Sequence, residues 1–170
     1  MMKKIVIVGC PASGKTTLAN KLSELLNIPT HNLDYIFWTK EGGIKQEDFT
    51  QQQEKMMSGE KWILDGNFMQ SKSFEMRLQK AETIIFFNFS KITIYFRLLK
   101  RYIQNIGSMK TGHRKMLSLD LVKFIWNYPT EEIYNKILHN PHYKELVVLN
   151  NPKDERDFIK EIKNALSGRS

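Results

Sequence analysis

The chain has 170 residues, the length of one domain, and its 41% hydrophobic and 11% aromatic content supports a packed core and excludes a disordered or fibrous chain. A single cysteine excludes an internal disulfide framework and suits a reducing cytosol. The apolar run in the opening stretch is confined to Ile5–Val8, and no run approaches a membrane span, so a soluble cytoplasmic protein with no membrane partner is expected. The formal net charge of +8 points to an anionic partner, nucleotide or nucleic acid, without choosing between them.

Short apolar runs alternate with helical patterns along the chain, the order of a parallel α/β sheet. Strands are expected at 3–8 (KKIVIV), 28–33 (IPTHNL), 61–65 (KWILD), 83–89 (TIIFFNF) and 145–149 (ELVVL), all short and largely apolar, as buried parallel strands are. Helices are expected at 15–26, 46–58, 72–80, 91–106, 119–127, 130–139 and 153–166. The segment 107–118, GSMKTGHRKMLS, has little apolar periodicity and reads as a mobile loop. No repeat, linker or low-complexity tract divides the chain, so residues 1–170 are expected to form a single domain.

Between the first strand and the first helix stands GCPASGKTTL, and Gly9-x-x-x-x-Gly14-Lys15-Thr16 matches the Walker A pattern in full. Its glycines let the backbone curl so that successive N–H groups point at phosphate oxygens. Lys15 reaches the β- and γ-phosphates in such a loop, Thr16 offers a hydroxyl to Mg²⁺, and the helix that follows aims its positive end at the anion. Ala12, Ser13 and Thr17 complete the positions expected to touch ATP. Cys10, inside the loop, reads either as a small tolerated residue or as a reactive thiol at a helix N-terminus.

In open α/β sheets ligands bind beyond the carboxyl ends of the strands, and two aspartates fall there. Asp65 ends KWILD before Gly66, the place of a metal-holding acid acting through water or of a turn-capping aspartate. Asp34, after THNL, is placed to orient an acceptor hydroxyl, to act as general base, or to cap a loop. Tyr35, Phe37 and Trp38 beside it are either an aromatic wall for a flat acceptor or plain core.

No acidic residue occurs between Glu82 and Asp120. Within that stretch Arg97 and Arg101 lie four apart on one helical face, an arrangement that an anion between them stabilises. Arg114, in the loop, is a candidate to neutralise a transferring phosphoryl group; a solvated basic face is the alternative. Arg77 is a further candidate for acceptor contact, or a surface helix charge. His31, His113, His139 and His142 show no metal-ligand spacing.

The phosphate loop, HNLDYIFW, WILDGNF, RLQKAETIIFFNF and YFRLLKRY occur in that order. Together they resemble the adenylate-kinase-like P-loop proteins called DNA topology modulation proteins, from about residue 3 to 106. The resemblance implies a three-layer P-loop nucleoside triphosphate hydrolase fold, with a five-stranded parallel sheet in the order 2-3-1-4-5 and a short helical lid near 107–118. It also implies ATP binding and kinase-type phosphoryl transfer. Gly9, Gly14, Lys15 and Thr16 would bind ATP; Asp34, Asp65 and Asn67 would line the Mg²⁺ and acceptor side, with Trp38 nearby. Arg77 would face the acceptor, and Arg97 and Arg101 the phosphates. The lid departs from the family: GHRKMLSLDL keeps Arg114 and Met116, but Lys115 stands where an acid is usual.

The expectation is a monomeric or weakly dimeric transferase moving the γ-phosphate of Mg-ATP to a small acceptor, a nucleotide or nucleoside. The alternative is an ATP-regulated nucleic-acid-binding protein. A plain ATPase ranks below both, since no residue stands out to position an attacking water.

Overall fold

The computed structural model describes residues 2–39, 42–69, 72–106, 118–140 and 142–168. Along the chain run β1 (Lys4–Gly9), α1 (Lys15–Leu26), β2 (Thr30–Asn32), α2 (Leu33–Phe37), β3 (Trp38–Thr39), β4 (Gly42–Gly43), α3 (Gln46–Met56) and β5 (Trp62–Asp65). Then follow α4 (Lys72–Lys80), β6 (Thr83–Phe87), α5 (Lys91–Ile106), α6 (Leu119–Trp126), α7 (Thr130–Leu138), β7 (Glu145–Leu149) and α8 (Pro152–Ser167).

The main sheet is parallel with the order β2-β5-β1-β6-β7. Counting its five strands alone, this is 2-3-1-4-5, the order implied by the resemblance, in the expected three-layer P-loop fold. The central strands hold the core: Ile5–Val8, Trp62–Leu64 and Ile84–Phe86 are all fully enclosed. Helix α1 forms because Leu18, Ala19, Leu22 and Leu26 recur at helical spacing on its buried face. It packs on β1 and β5 with α8 beside it, while α4 packs on β1 and against α3. Among the described residues no helix is long and apolar enough to cross a membrane.

The sequence expectation missed α2 and the two-residue antiparallel pair of β3 and β4. A five-residue helix is too short to show periodicity. Its start depends on Asn32, whose Oδ1 accepts the N–H groups of Asp34 at 2.9 Å and Tyr35 at 3.2 Å and so satisfies the orphan donors of the first turn.

Register puts the chemistry at one edge. Asp65 stands beside Ile7 of β1 on one side and beside Asn32 of β2 on the other. The chain then leaves β5 through Gly66 at φ 148°, where an added Cβ would come within 2.7 Å of the Leu33 Cβ. Left-handed backbone and close packing together require glycine there. Gly66→Ala is therefore expected to lower the unfolding free energy by about 2 kcal/mol, read from denaturant titration; an unchanged midpoint would contradict the tight approach to Leu33.

Candidate active site

Beyond β1 the backbone turns through Ala12 at φ 62° and Gly14 at φ 104°, conformations that turn neighbouring N–H groups inward as an anion-binding nest. The base of the loop is fixed from behind. Gly9 N–H donates to Asn67 Oδ1 at 3.1 Å, and a Cβ on Gly9 would meet Phe87 Cβ at 2.6 Å. Helix α1 begins at Lys15 with no side-chain cap and no acid in its first turn, so its leading N–H groups face the loop and suit an anion. Lys15 Nζ donates to the Cys10 carbonyl at 3.0 Å. Burial lowers the lysine's pKa, and the nearby carboxylates of Asp65 and Asp34 oppose that shift. Cys10 is buried and its thiol is pushed up to about 11, the chemistry of an inert packing residue.

Thr16 Oγ1 donates to Asp65 Oδ2 at 2.5 Å, and Asn32 Nδ2 donates to the same oxygen at 2.8 Å. Asp65 is almost fully buried, and its other oxygen, Oδ1, has no hydrogen-bond partner among the described residues. Burial raises its carboxyl above the ordinary range, against the pull of the Thr16 bond and of Lys15. Asp65 is outside the cleft lining itself and reaches it through Thr16, which does line it; a buried carboxylate with one oxygen unpaired and the other on that hydroxyl fits the water shell of a hard divalent cation. Among the described residues no three His, Cys, Asp or Glu side chains gather to hold a metal. Mg²⁺ at this place would therefore take its remaining ligands from nucleotide phosphates and water.

Opposite the loop opens a cleft of about 1220 Å³ that Gly14, Lys15, Thr16, Asp34, Trp38 and Asn67 all line. Asp34 follows the first residue of α2. Partial enclosure raises its carboxyl pKa, and Lys15 pulls it back. Phe37 makes an edge contact with Trp38 at 4.9 Å and lies 4.9 Å from the Phe68 ring, and Phe49 closes the cluster behind them. Trp38 is 62% exposed on the cleft, whereas Tyr35, at 83% exposure, is outside its lining. Phe37, Trp38 and Phe68 thus line the cleft as one aromatic cluster, with Phe124 and Tyr128 also in the lining.

Helix α5 supplies the cations. Arg97, Lys100 and Arg101 line the cleft. Arg97 donates through Nη1 to the Ser13 carbonyl of the phosphate loop and through Nη2 to Glu155 Oε2 at 2.8 Å, with its guanidinium 4.6 Å over the Phe89 ring. It thereby ties α5 and α8 to the back of the loop as well as lining the cleft. Arg114 lies outside the described residues, as does 107–117 of the expected lid.

Arg77 does not face the acceptor as the resemblance implied. It is fully buried under the segment that follows β5 and outside the cleft lining. Its Nη1 donates to the Gly66 carbonyl at 3.0 Å, and its Nη2 to the carbonyls of Asn67 at 2.7 Å and Phe68 at 3.2 Å. Nε reaches the Ser73 carbonyl at 3.3 Å, and burial pushes the guanidinium down to about 9. The reason is packing: Ser73, Phe74, Arg77 and Leu78 form the buried stripe of α4. Arg77 acts through Asn67 and Phe68, and Phe68 is held at φ 40°. Asn32 and Glu155 were not anticipated as site residues. An Asn two positions before Asp34 is a local capping signal, but nothing local marks Glu155.

The model of the AAA domain family matches residues 5–103. No curated protein matches the sequence. Among solved structures, shikimate kinase from Bacteroides thetaiotaomicron superposes with a TM-score of 0.59 at 16% identity, covering 98% of this chain and 99% of that one. Shikimate kinase from Acinetobacter baumannii in complex with shikimate gives 0.57 at 15% identity, with 100% and 96% covered. That from Aquifex aeolicus gives 0.52 at 16% identity, with 97% and 96% covered. At such identities the likeness is one of fold.

Two stability measurements test this geometry. Arg77→Leu strands the carbonyls of residues 66–68 and is expected to cost about 3 kcal/mol; Arg77→Lys should recover only part, because an ammonium cannot reproduce the planar fork. Denaturant titration reads both, and a leucine variant as stable as wild type would refute the clamp. For Asp65, the raised pKa means that the folded chain takes up this proton at a higher pH than the unfolded chain. The native state then binds more protons in that window, so this contribution to stability is present below the ordinary carboxylate pKa of about 4 and is lost as pH rises through the folded value. Metal-free wild type should therefore lose stability with rising pH relative to Asp65→Asn; parallel pH–stability curves would show that the carboxylate carries no such strain.

Proposed function

The chain belongs to the AAA domain family, and on that premise we propose that it is an ATP-dependent phosphotransferase moving the γ-phosphate of Mg-ATP to a small acceptor, a nucleotide or nucleoside. The observation that carries this reading is the Thr16–Asp65 contact of 2.5 Å, at a residue of the phosphate loop, with the second Asp65 oxygen buried and unpaired. A sensor that only binds nucleotide has no need of a second acid; here Asp34 lines the cleft together with Lys15 and Thr16.

Each group has a role that the chemistry requires. The nest of residues 9–16 and the start of α1 take the donor phosphates, and Lys15 exchanges its bond to the Cys10 carbonyl for phosphate oxygens. Thr16 and, through water, Asp65 would hold Mg²⁺, which when bound neutralises charge on the phosphates. Asp34 orients the acceptor hydroxyl. The hydroxyl oxygen bonds to the γ-phosphorus, the bridging bond to ADP breaks, and the acceptor proton passes to Asp34, whose raised pKa suits that task. Arg101, with Lys100 beside it in the cleft lining, balances the charge that spreads over the phosphoryl oxygens, and Arg97 fixes the loop that holds them through its bond to Ser13. Arg114 is assigned the same part from its sequence position alone.

The finer resemblance to adenylate-kinase-like DNA topology modulation proteins keeps a second reading in view, ATP-regulated nucleic-acid binding, favoured by the +8 charge. The described cations of the acid-free stretch favour transfer over it. Arg97, Lys100 and Arg101 line the nucleotide cleft, and Lys91 is engaged by the Trp126 carbonyl and ring.

An acceptor screen with Mg-ATP, following ADP formation, tests the reading. Lys15→Ala is expected to reduce acceptor-dependent ADP formation by about 100-fold or more. Equal turnover by the variant, or no transfer to any acceptor, would overturn it.

A further inference from the structure

We infer that the acceptor is an uncharged hydroxyl compound carrying a planar ring, a nucleoside rather than a nucleotide or a carboxylated alcohol. The inference rests on the phosphotransferase reading above and narrows its acceptor.

The cleft is divided by charge. Its described cations come from the phosphate loop and from α5: Lys15, Arg97, Lys100 and Arg101. Arg97 bonds the Ser13 carbonyl, which holds α5 against the phosphate loop, so the α5 cations belong to the donor side of the cleft. The facing wall comes from α2, the start of α3 and the segment after β5. It presents Asp34, Phe37, Trp38, Gln46, Asn67 and Phe68. Among these residues the one formal charge is negative. The described cations nearest in sequence, Lys45 and Lys72, are outside the cleft lining, and Arg77 is buried and committed to backbone carbonyls. Helix α6 adds Leu121 and Phe124 to the lining, apolar side chains again.

An anionic group seated against this wall would shed water and meet the Asp34 carboxylate, with no cation among the wall's described residues to offset it, a double cost. A hydroxyl is the group that suits Asp34, which accepts its proton while the γ-phosphorus takes its oxygen and ADP leaves. A planar ring suits the rest. Trp38 is held edge-on to Phe37 while 62% exposed, so an indole surface is open to stacking. Gln46 and Asn67 carry amides, which both donate and accept and can read the polar edge of such a ring.

The test compares acceptors that differ only in charge. Full-length protein with Mg-ATP is assayed for ADP formation with a panel of ribo- and deoxyribonucleosides, with their 5′-monophosphates, and with shikimate as a carboxylated alcohol. The expected result is a kcat/KM for the best nucleoside at least about tenfold above that of its monophosphate and of shikimate. Trp38→Ala should raise the nucleoside KM about fivefold or more with a smaller change in kcat. Gln46→Arg, which gives the wall a cation, should shift the preference toward the monophosphate. A wild-type preference for a monophosphate or for shikimate overturns the inference and leaves the phosphotransferase standing. An unchanged KM in Trp38→Ala also counts against it. Absence of Lys15-dependent ADP formation with every acceptor overturns both.

Discussion

The Asp65 carboxylate and the Lys15 ammonium are both buried near the ends of β5 and β1, where the Thr16 bond and Lys15 favour the charged Asp65 and Asp65 favours the charged Lys15. Burial alone would drive both toward their neutral forms. Mutual attraction and the bonds from Thr16 and Asn32 hold them short of that. The balance is deliberately incomplete: one Asp65 oxygen lacks a partner, and Lys15 settles for a loop carbonyl. Such a site costs stability, and a ligand bringing phosphate and a hard cation, as proposed above, would complete it. Strand register delivers it, because Asn32, Asp65 and Ile7 stand side by side across three parallel strands.

Around this pair the protein uses arginine twice for the same physical task, satisfying backbone carbonyls where the chain leaves regular structure. Arg77 holds the segment that follows β5, and through Asn67 that segment holds Gly9 at the start of the phosphate loop. Arg97 holds the Ser13 carbonyl from the other side and passes its second bond to Glu155 of α8. A planar guanidinium donates in several directions without rearranging, so the loop is gripped at both ends by side chains rigid enough to keep its N–H groups aimed.

The fold leaves the acceptor open. P-loop kinase architectures share the donor half, and the chemistry of the acceptor is carried by side chains grafted around it. In the wall proposed for the acceptor those side chains are aromatic, amide and carboxylate, while the described cations of the cleft come from α5 and Lys15. The division follows from the elements themselves. A basic helix packs beside the anion-binding loop, while the aromatic cluster of Phe37, Phe49 and Phe68 completes the core below α2 and presents its rim to the ligand.

What depended on residues close together in the chain was legible beforehand. The phosphate loop is one contiguous stretch between a strand and a helix; the five strands were marked by apolar runs bounded by polar turns; Asp34 and Asp65 stood out as acids at strand ends. Arg77 was misread although a signal was present, for it lies on the Phe74–Leu78 stripe of α4, and a charge on an apolar stripe is buried. Asn32 carried a local capping signal, but its bond to Asp65 joins residues 33 positions apart, and Glu155 meets Arg97 across 58. By itself the sequence determined the phosphate cradle and the order of the elements, because glycine positions and hydrophobic periodicity act through near neighbours. Only the tertiary structure decided which arginines line the cleft and which is sealed against the backbone, because that choice is made by burial, and burial exists only once distant segments have packed.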